Sequence, residues 1–345
     1  MIVYPWHHSQ WQKLVQAPAL HHGLMFTGLP GIGKLSFSLA LAKRLLCDEL
    51  GAPDNQSCGN CHSCRLFEAG THPDFHLLTT EFESVENDIQ LISAYSDRYQ
   101  DAQARAKKAK PGKVISIDQV RSLIERFSTH AHISTRKVAL ISPAHSMNIN
   151  ASNALLKLLE EPPQDSILIL LTDAPGFLPA TIRSRCVLQK LRTPSQKESQ
   201  RWLSQWISSD QIDLALKMAN GGPLLAKQQH DTGALIQYAT MIEKIDGLLN
   251  KREDPVALAA QINKTDFQSF LGWFQRYVGD IIRLRVHGAP VRGLKIASGS
   301  IERFSIQRLY ALYDKICFYK RIANDSINEQ LAIEEMLILT YAIAK

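Results

Sequence analysis

No apolar run in this chain is long enough to cross a bilayer. The longest, "SILILLTDA" at residues 166–174, falls well short of the roughly 20 residues that a spanning helix needs. The opening "MIVYPWHHSQWQ" lacks the basic-then-apolar pattern of a secretory leader, so the expected location is cytoplasmic. Internal repeats and low-complexity tracts are also missing, which argues against solenoid and disordered classes. Charge is not strongly one-signed: 39 Lys and Arg against 33 Asp and Glu leave a formal +6. That excess is compatible with work on nucleic acid but does not demand it, because a solvated basic surface looks the same.

What is present is an ordered α/β pattern in the first half. "GLMFTG" (residues 23–28) reads as a buried strand running into a glycine loop, and "KLSFSLALAKRLLC" (34–47) as a helix. "FHLLTT" (75–80), "KVALIS" (137–142) and "SILILLT" (166–172) are further strands, the last being read as the end of the sheet. Helices fall at 115–127, with Asp118 placed to cap or charge the first turn, and at 150–163, stopped by Pro162 and Pro163. Strands alternating with helices predict a parallel sheet. After Leu191 no strand is legible, and the pattern is helical to the end. The closing stretch places Leu331, Met336, Leu337, Leu339 and Ile343 on a nearly continuous apolar surface that needs a partner.

"GLPGIGKL" (28–35) carries the glycines and lysine of a phosphate loop: Gly28, Gly31, Gly33 and Lys34. Between a strand and a helix, such backbone N–H groups face a phosphate and the lysine adds charge. The hydroxyl that normally follows the lysine and holds Mg²⁺ is missing, since Leu35 stands there. Ser36 is turned about 100° away on the helix and replaces it poorly. The acidic pair expected at the end of a neighbouring strand is missing too, because "KVALI" runs into Ser142, Pro143, Ala144 and His145. Two losses argue against hydrolysis and leave nucleotide binding open against a loop kept for packing.

Four of the six cysteines are grouped. Cys58, Cys61 and Cys64 stand two residues apart, and Cys47 ends the preceding helix with enough chain between to fold back. Four thiolates suit a closed structural Zn²⁺ site; His62 and His72 are substitute ligands if Cys47 points away. A redox CxxC is the weaker reading. Cys186 and Cys317 have no cysteine neighbours and read as buried thiols. Residues 82–113 form a polar, basic insertion whose run at 107–113 could face DNA or simply water.

Taken in order, "GLPGIGK", the CxxCxxC insertion, "KVALISPAHSMN", "NALLKLLEEPP" and "TIRSRC" resemble the clamp-loader branch of the AAA+ ATPases, strongly over residues 1–193. The resemblance implies an α/β AAA+ (P-loop NTPase-like) module over 1–192 with a zinc-binding insertion near 47–72. It further implies an all-α lid over 193–236 and an all-α collar over 237–345 that assembles the ring. By position Arg185 corresponds to an arginine finger acting in trans on a neighbouring subunit's ATP, and Thr172 to a sensor. Cys47, Cys58, Cys61 and Cys64 correspond to zinc ligands. The implied role is a non-hydrolysing subunit, without catalysis of its own, that helps load a sliding clamp on primer–template DNA. Its implied partners are the delta and gamma/tau subunits. Two other readings compete: an active gamma/tau-like ATPase subunit, and a zinc-dependent DNA-binding protein.

Overall fold

The computed structural model describes residues 2–49, 56–86, 90–100, 111–262, 267–288, 304–322 and 327–343. Most of the basic run at 107–113, and all but the first two residues of "HGAPVRGLKIASGS" (287–300), lie outside the described residues. The chain divides into two compact units, Met1–Glu198 and Ser199–Lys345.

In the first unit five parallel strands form one sheet: β1 (Gly23–Thr27), β2 (Phe75–Leu78), β3 (Lys137–Ile141), β4 (Ser166–Thr172) and β5 (Val187–Lys190). Their order is β2-β3-β4-β1-β5, so β1 lies inside, between β4 and β5. Burial of all five residues of β1 and all seven of β4 explains why both read as unbroken apolar runs rather than as alternation. The expectation that 166–172 is the last strand is corrected by β5. "VLQK" sits at the sheet edge with mostly exposed side chains, so its apolar signal is weak.

Helices cover both faces. On one, α2 (Lys34–Leu46) buries Phe37, Leu39, Leu41, Ala42 and Leu46 in a cluster with Phe26, Leu140 and Ile169. Trp11 of α1 (His8–Val15) sits edge-on to Phe37 in the same cluster. On the other face, α6 (Ile117–Phe127) and α7 (Ile149–Glu160) pack over Ala139, Ile141, Leu168 and Leu170. The N-cap of α6 is Ser116, and Asp118 is the acid of its first turn. Ser116 Oγ accepts from Gln119 N, and the Gln119 side chain returns to the Ser116 N–H, a capping box. In chain order α3 (His62–Glu68), α4 (Glu81–Glu86) and α5 (Gln90–Ser96) come between α2 and α6. Phe67 of α3 and Ile92 and Tyr95 of α5 join the cluster on the α2 face, and α4 and α5 give the insertion its helical character.

A four-residue helix, α8 (Ala180–Arg183), leads into β5, and α9 (Gln196–Leu203) runs across the division between the units. Arg192 and Ser195 both bind Glu198 at the start of α9, holding its carboxyl down to about 2.

The second unit is helical among the described residues: α10 (Ser209–Met218), α11 (Pro223–Asp231), α12 (Ala234–Leu249), α13 (Pro255–Ile262), α14 (Phe267–His287), α15 (Ile306–Ile322) and α16 (Glu329–Ile343). One apolar cluster joins them, from Ile212 and Ala226 to Phe270, Phe274, Leu312 and Met336. The lid–collar boundary expected at 236/237 falls inside α12. Met336, Leu337 and Ile343 of α16 are buried in this cluster, whereas Leu331 (59% exposed) and Leu339 (38%) face outward. The terminal helix thus finds its partner within its own unit on one face only.

Candidate functional site

The phosphate loop follows β1 at the carboxyl end of the sheet. Gly31 and Gly33 take φ of 70° and 97°, the left-handed region that a side chain would strain, and Gly33 begins α2. Lys34 turns back over the loop: its Nζ donates to the carbonyls of Gly28 (3.1 Å) and Leu29 (2.6 Å). It also pairs with Asp173 Oδ1 at 2.5 Å. Burial pushes the Lys34 ammonium below the usual lysine range, and the Asp173 carboxylate opposes that shift. The loop's positive charge is therefore spent inside the protein.

Asp173 was not among the residues singled out from the sequence. Its place follows from register: Thr27 of β1 pairs with Thr172 of β4, so the next residue of β4's chain lies beside the start of the loop. An acid directly after a strand that neighbours the loop strand was the available signal. Thr172 Oγ1 accepts from Ala174 N at 3.1 Å and lies 3.0 Å from His145 Nδ1. Burial lowers the pKa of His145.

Leu35 packs against the apolar cluster under α2, and Ser36 is engaged by the chain's start. Ser36 Oγ donates to the Ile2 carbonyl (2.6 Å) and accepts from Ile2 N (3.2 Å). Trp6 Nε1 donates to the Ile32 carbonyl inside the loop at 2.9 Å. Tyr4 stacks on Trp6 with ring centres 5.0 Å apart. His7, fully buried against Phe37, donates from Nε2 to the Arg192 carbonyl at 3.2 Å, and burial holds its pKa at about 4. Residues 2–7 are thus stitched onto the loop and the start of α2.

The cysteines converge as expected. The four Sγ atoms of Cys47, Cys58, Cys61 and Cys64 all lie within 4.8 Å of one another, and all six cysteines are free thiols. Cys47 and Cys61 are 3.9 Å apart, as are Cys58 and Cys64. Zn–S bonds of about 2.3 Å give a tetrahedron with edges of about 3.8 Å, so the spacing fits one ion. Backbone N–H groups point at the sulfurs: Cys58 N at Cys47 Sγ (3.4 Å), Cys61 N at Cys58 Sγ (3.3 Å) and Cys64 N at Cys61 Sγ (3.3 Å). Such donors stabilise thiolates, which is the form that ligates metal. His72 is not the substitute ligand: its Nε2 faces Ser63 Oγ at 2.9 Å, and its Nδ1 accepts from Asp74 N. Asp74 in turn accepts from the N–H groups of His132, Ile133 and Ser134, which tie the turn before β3 to the residue before β2, and Ser134 Oγ lies 3.3 Å from Ser63 Oγ of the insertion.

Arg183 is exposed, whereas Arg185 is held. Arg185 Nη2 meets Glu160 Oε1 at 2.5 Å, and Nη1 donates to the Thr181 carbonyl at 2.9 Å. Arg185 stands two residues before β5, whose first residue pairs with Leu24 near the start of β1. The phosphate loop leaves the other end of β1. At about 3.3 Å per strand residue the two features are roughly 15–20 Å apart, at opposite ends of the adjacent strands β1 and β5.

A parallel five-stranded sheet with a glycine loop leaving its internal strand, helices on both faces and a helical second unit defines an AAA+-type α/β protein carrying a cysteine cluster. Residues 5–195 match the family model described as "DNA polymerase III, delta subunit", and residues 233–340 the one described as "DNA polymerase III, delta subunit, C terminal". The chain belongs to the DNA polymerase III delta-prime family of clamp-loader subunits. It is 32% identical over 287 residues to DNA polymerase III subunit delta' of Pseudomonas aeruginosa, covering 82% of this chain and 78% of that one. It is 29% identical over 347 residues to subunit delta' of Escherichia coli, covering 97% and 94%. Among solved structures, a DNA polymerase III gamma subunit-related protein of Thermotoga maritima aligns with a TM-score of 0.48 and 16% identity, over 98% of this chain and all of that one. No helix among the described residues is long and apolar enough to cross a membrane.

Proposed function

We propose that this chain is a non-hydrolysing member of a clamp-loader ring that supplies Arg185 to the ATP of a neighbouring gamma/tau-type subunit. With that subunit and delta, it helps place a sliding clamp on primer–template DNA. The observation that carries this reading is the position of Arg185 at the amino end of the parallel strands, the end opposite its own phosphate loop. A guanidinium there is too far to serve Lys34's loop, and with its side chain 35% exposed it keeps a face toward solvent from which to reach a site on another molecule. Arginine suits the task because its planar charge stabilises phosphoryl transfer.

Its own loop holds no metal-binding hydroxyl after Lys34 and no acid after β3, and Asp173 neutralises the lysine. Zn²⁺ bound by Cys47, Cys58, Cys61 and Cys64 would be structural, tying the end of α2 to α3 with no coordination position left for chemistry. Within the second unit, the helices around 193–236 would act as lid and those after 237 as collar. The lid joins the collar through Arg276, whose Nη1 donates to the Lys217 carbonyl at 2.8 Å, and through Lys217 paired with buried Asp280 at 2.8 Å.

One observation favours the rival ATPase reading: Asp173 is a carboxylate beside the loop. It is engaged with Lys34, however, and follows β4 rather than β3. The test is to assemble the loader with and without this chain and measure ATP turnover. Turnover should require the complete ring and be undetectable for the isolated chain. Steady turnover by the isolated chain would overturn the reading.

A further inference from the structure

We infer that Glu160 is a positioning residue for Arg185, holding its guanidinium in the orientation presented to the neighbouring subunit. The inference rests on the proposed role of Arg185 and names the part of this chain that sets its geometry.

Glu160 is the last residue of α7, where the exposed carbonyl ends make a helix terminus partly negative. A carboxylate there opposes the helix's own dipole, so helix stability gives no reason for it. Its Oε1 instead grips Arg185 Nη2 at 2.5 Å, while the Thr181 carbonyl takes Nη1. Two acceptors on two different elements fix the plane of the guanidinium rather than only its charge. Ser184 Oγ adds a longer contact to Nη1 at 3.5 Å, and the arginine side chain is still 35% exposed.

The backbone beneath is set as tightly. The Arg185 carbonyl passes so close to Gly23 that a methyl there would lie 3.1 Å from it. The same methyl would meet Leu159 Cδ2 at 3.2 Å, and Leu159's carbonyl accepts from His22 Nε2 at 3.0 Å. The start of β1, the end of α7 and the turn before β5 therefore meet at one point, with Arg185 projecting from it. A long side chain presented this way loses less rotamer freedom when it engages a phosphate.

The test is steady-state ATP hydrolysis by the assembled complex carrying Glu160→Gln, Arg185→Ala or both, alongside thermal unfolding of each chain. Glu160→Gln should lower kcat about two- to fivefold, the range an exposed ion pair supports, with KM unchanged. Its unfolding temperature should stay level or rise, since a charge unfavourable to α7 is removed. In the Arg185→Ala background the same substitution should do nothing further, and Glu160→Asp should restore part of the loss. An unchanged or raised kcat for Glu160→Gln, or an equal loss in both backgrounds, overturns the positioning role. If Arg185→Ala itself leaves turnover intact, the trans role of Arg185 fails first, and the two failures are distinguishable.

Discussion

Asp173 holds Lys34 by an ion pair of 2.5 Å at the mouth of the phosphate loop, where a phosphate's charge would otherwise lie. Removing that carboxylate should expose the lysine to outside anions. Asp173→Asn is expected to raise affinity for ATP about fivefold, the equivalent of roughly 1 kcal/mol, without creating turnover. Titration with a fluorescent ATP analogue checks it, with Lys34→Ala on the same background as control. Equal affinity of wild type and Asp173→Asn would mean that the chain's first residues, not the carboxylate, govern the loop.

The metal reading predicts about one Zn²⁺ per chain by elemental analysis, with all four thiols unreactive until a chelator is added. Cys58→Ser with Cys61→Ser should abolish binding and lower the unfolding temperature. A natively folded protein free of metal would refute the site.

Gly23→Ala tests the junction below Arg185 without touching the guanidinium. The added methyl, 3.1 Å from the Arg185 carbonyl, must shift that backbone by a few tenths of an ångström. Stability should fall by about 1–2 kcal/mol, and complex ATPase should fall with it. Gly176→Ala, whose methyl meets nothing within 4 Å, should leave both unchanged.

Two buried histidines give the stability a defined acid dependence. Burial holds His7 near a pKa of about 4 and His76 near about 3, against the ordinary 6.5. As pH falls below 6.5 the unfolded chain takes up protons first, so folding stability declines between pH 6.5 and about 4. At pH 5 each histidine accounts for a loss of about 1–2 kcal/mol relative to pH 7. Urea unfolding at the two values should show the decline, and His7→Gln with His76→Gln should make it shallower, leaving the part due to His72 and His145. An equal decline in the double variant would contradict this assignment.

Much of the sheet was legible because β1 and β4 are apolar throughout and are closed off by Gly28 and by the loop after Thr172. The cysteine cluster was legible from covalent spacing, although only the fold shows that Cys47 returns to it. Strand β5 was not legible: an exposed edge leaves "VLQK" without a buried pattern. Asp173 was missed because its meaning depends on the pairing of Thr27 with Thr172, a long-range register that no local window contains. Asp118, read as capping or charging the first turn of α6, charges it, while the cap is Ser116; both residue types cap, and only backbone geometry decides between them. Leu331 and Leu339 share helical spacing with buried residues of α16 yet face outward, so an apolar helix alone does not say which face is covered.

The most direct measurement of the central claim is ATP hydrolysis by the fully assembled loader containing Arg185→Ala. Loss of a finger arginine costs on the order of 10³-fold or more at the site it serves. The account predicts that the ring assembles normally, that turnover at the adjoining site is lost and that clamp loading falls with it. Normal assembly with unchanged turnover and loading would contradict the account.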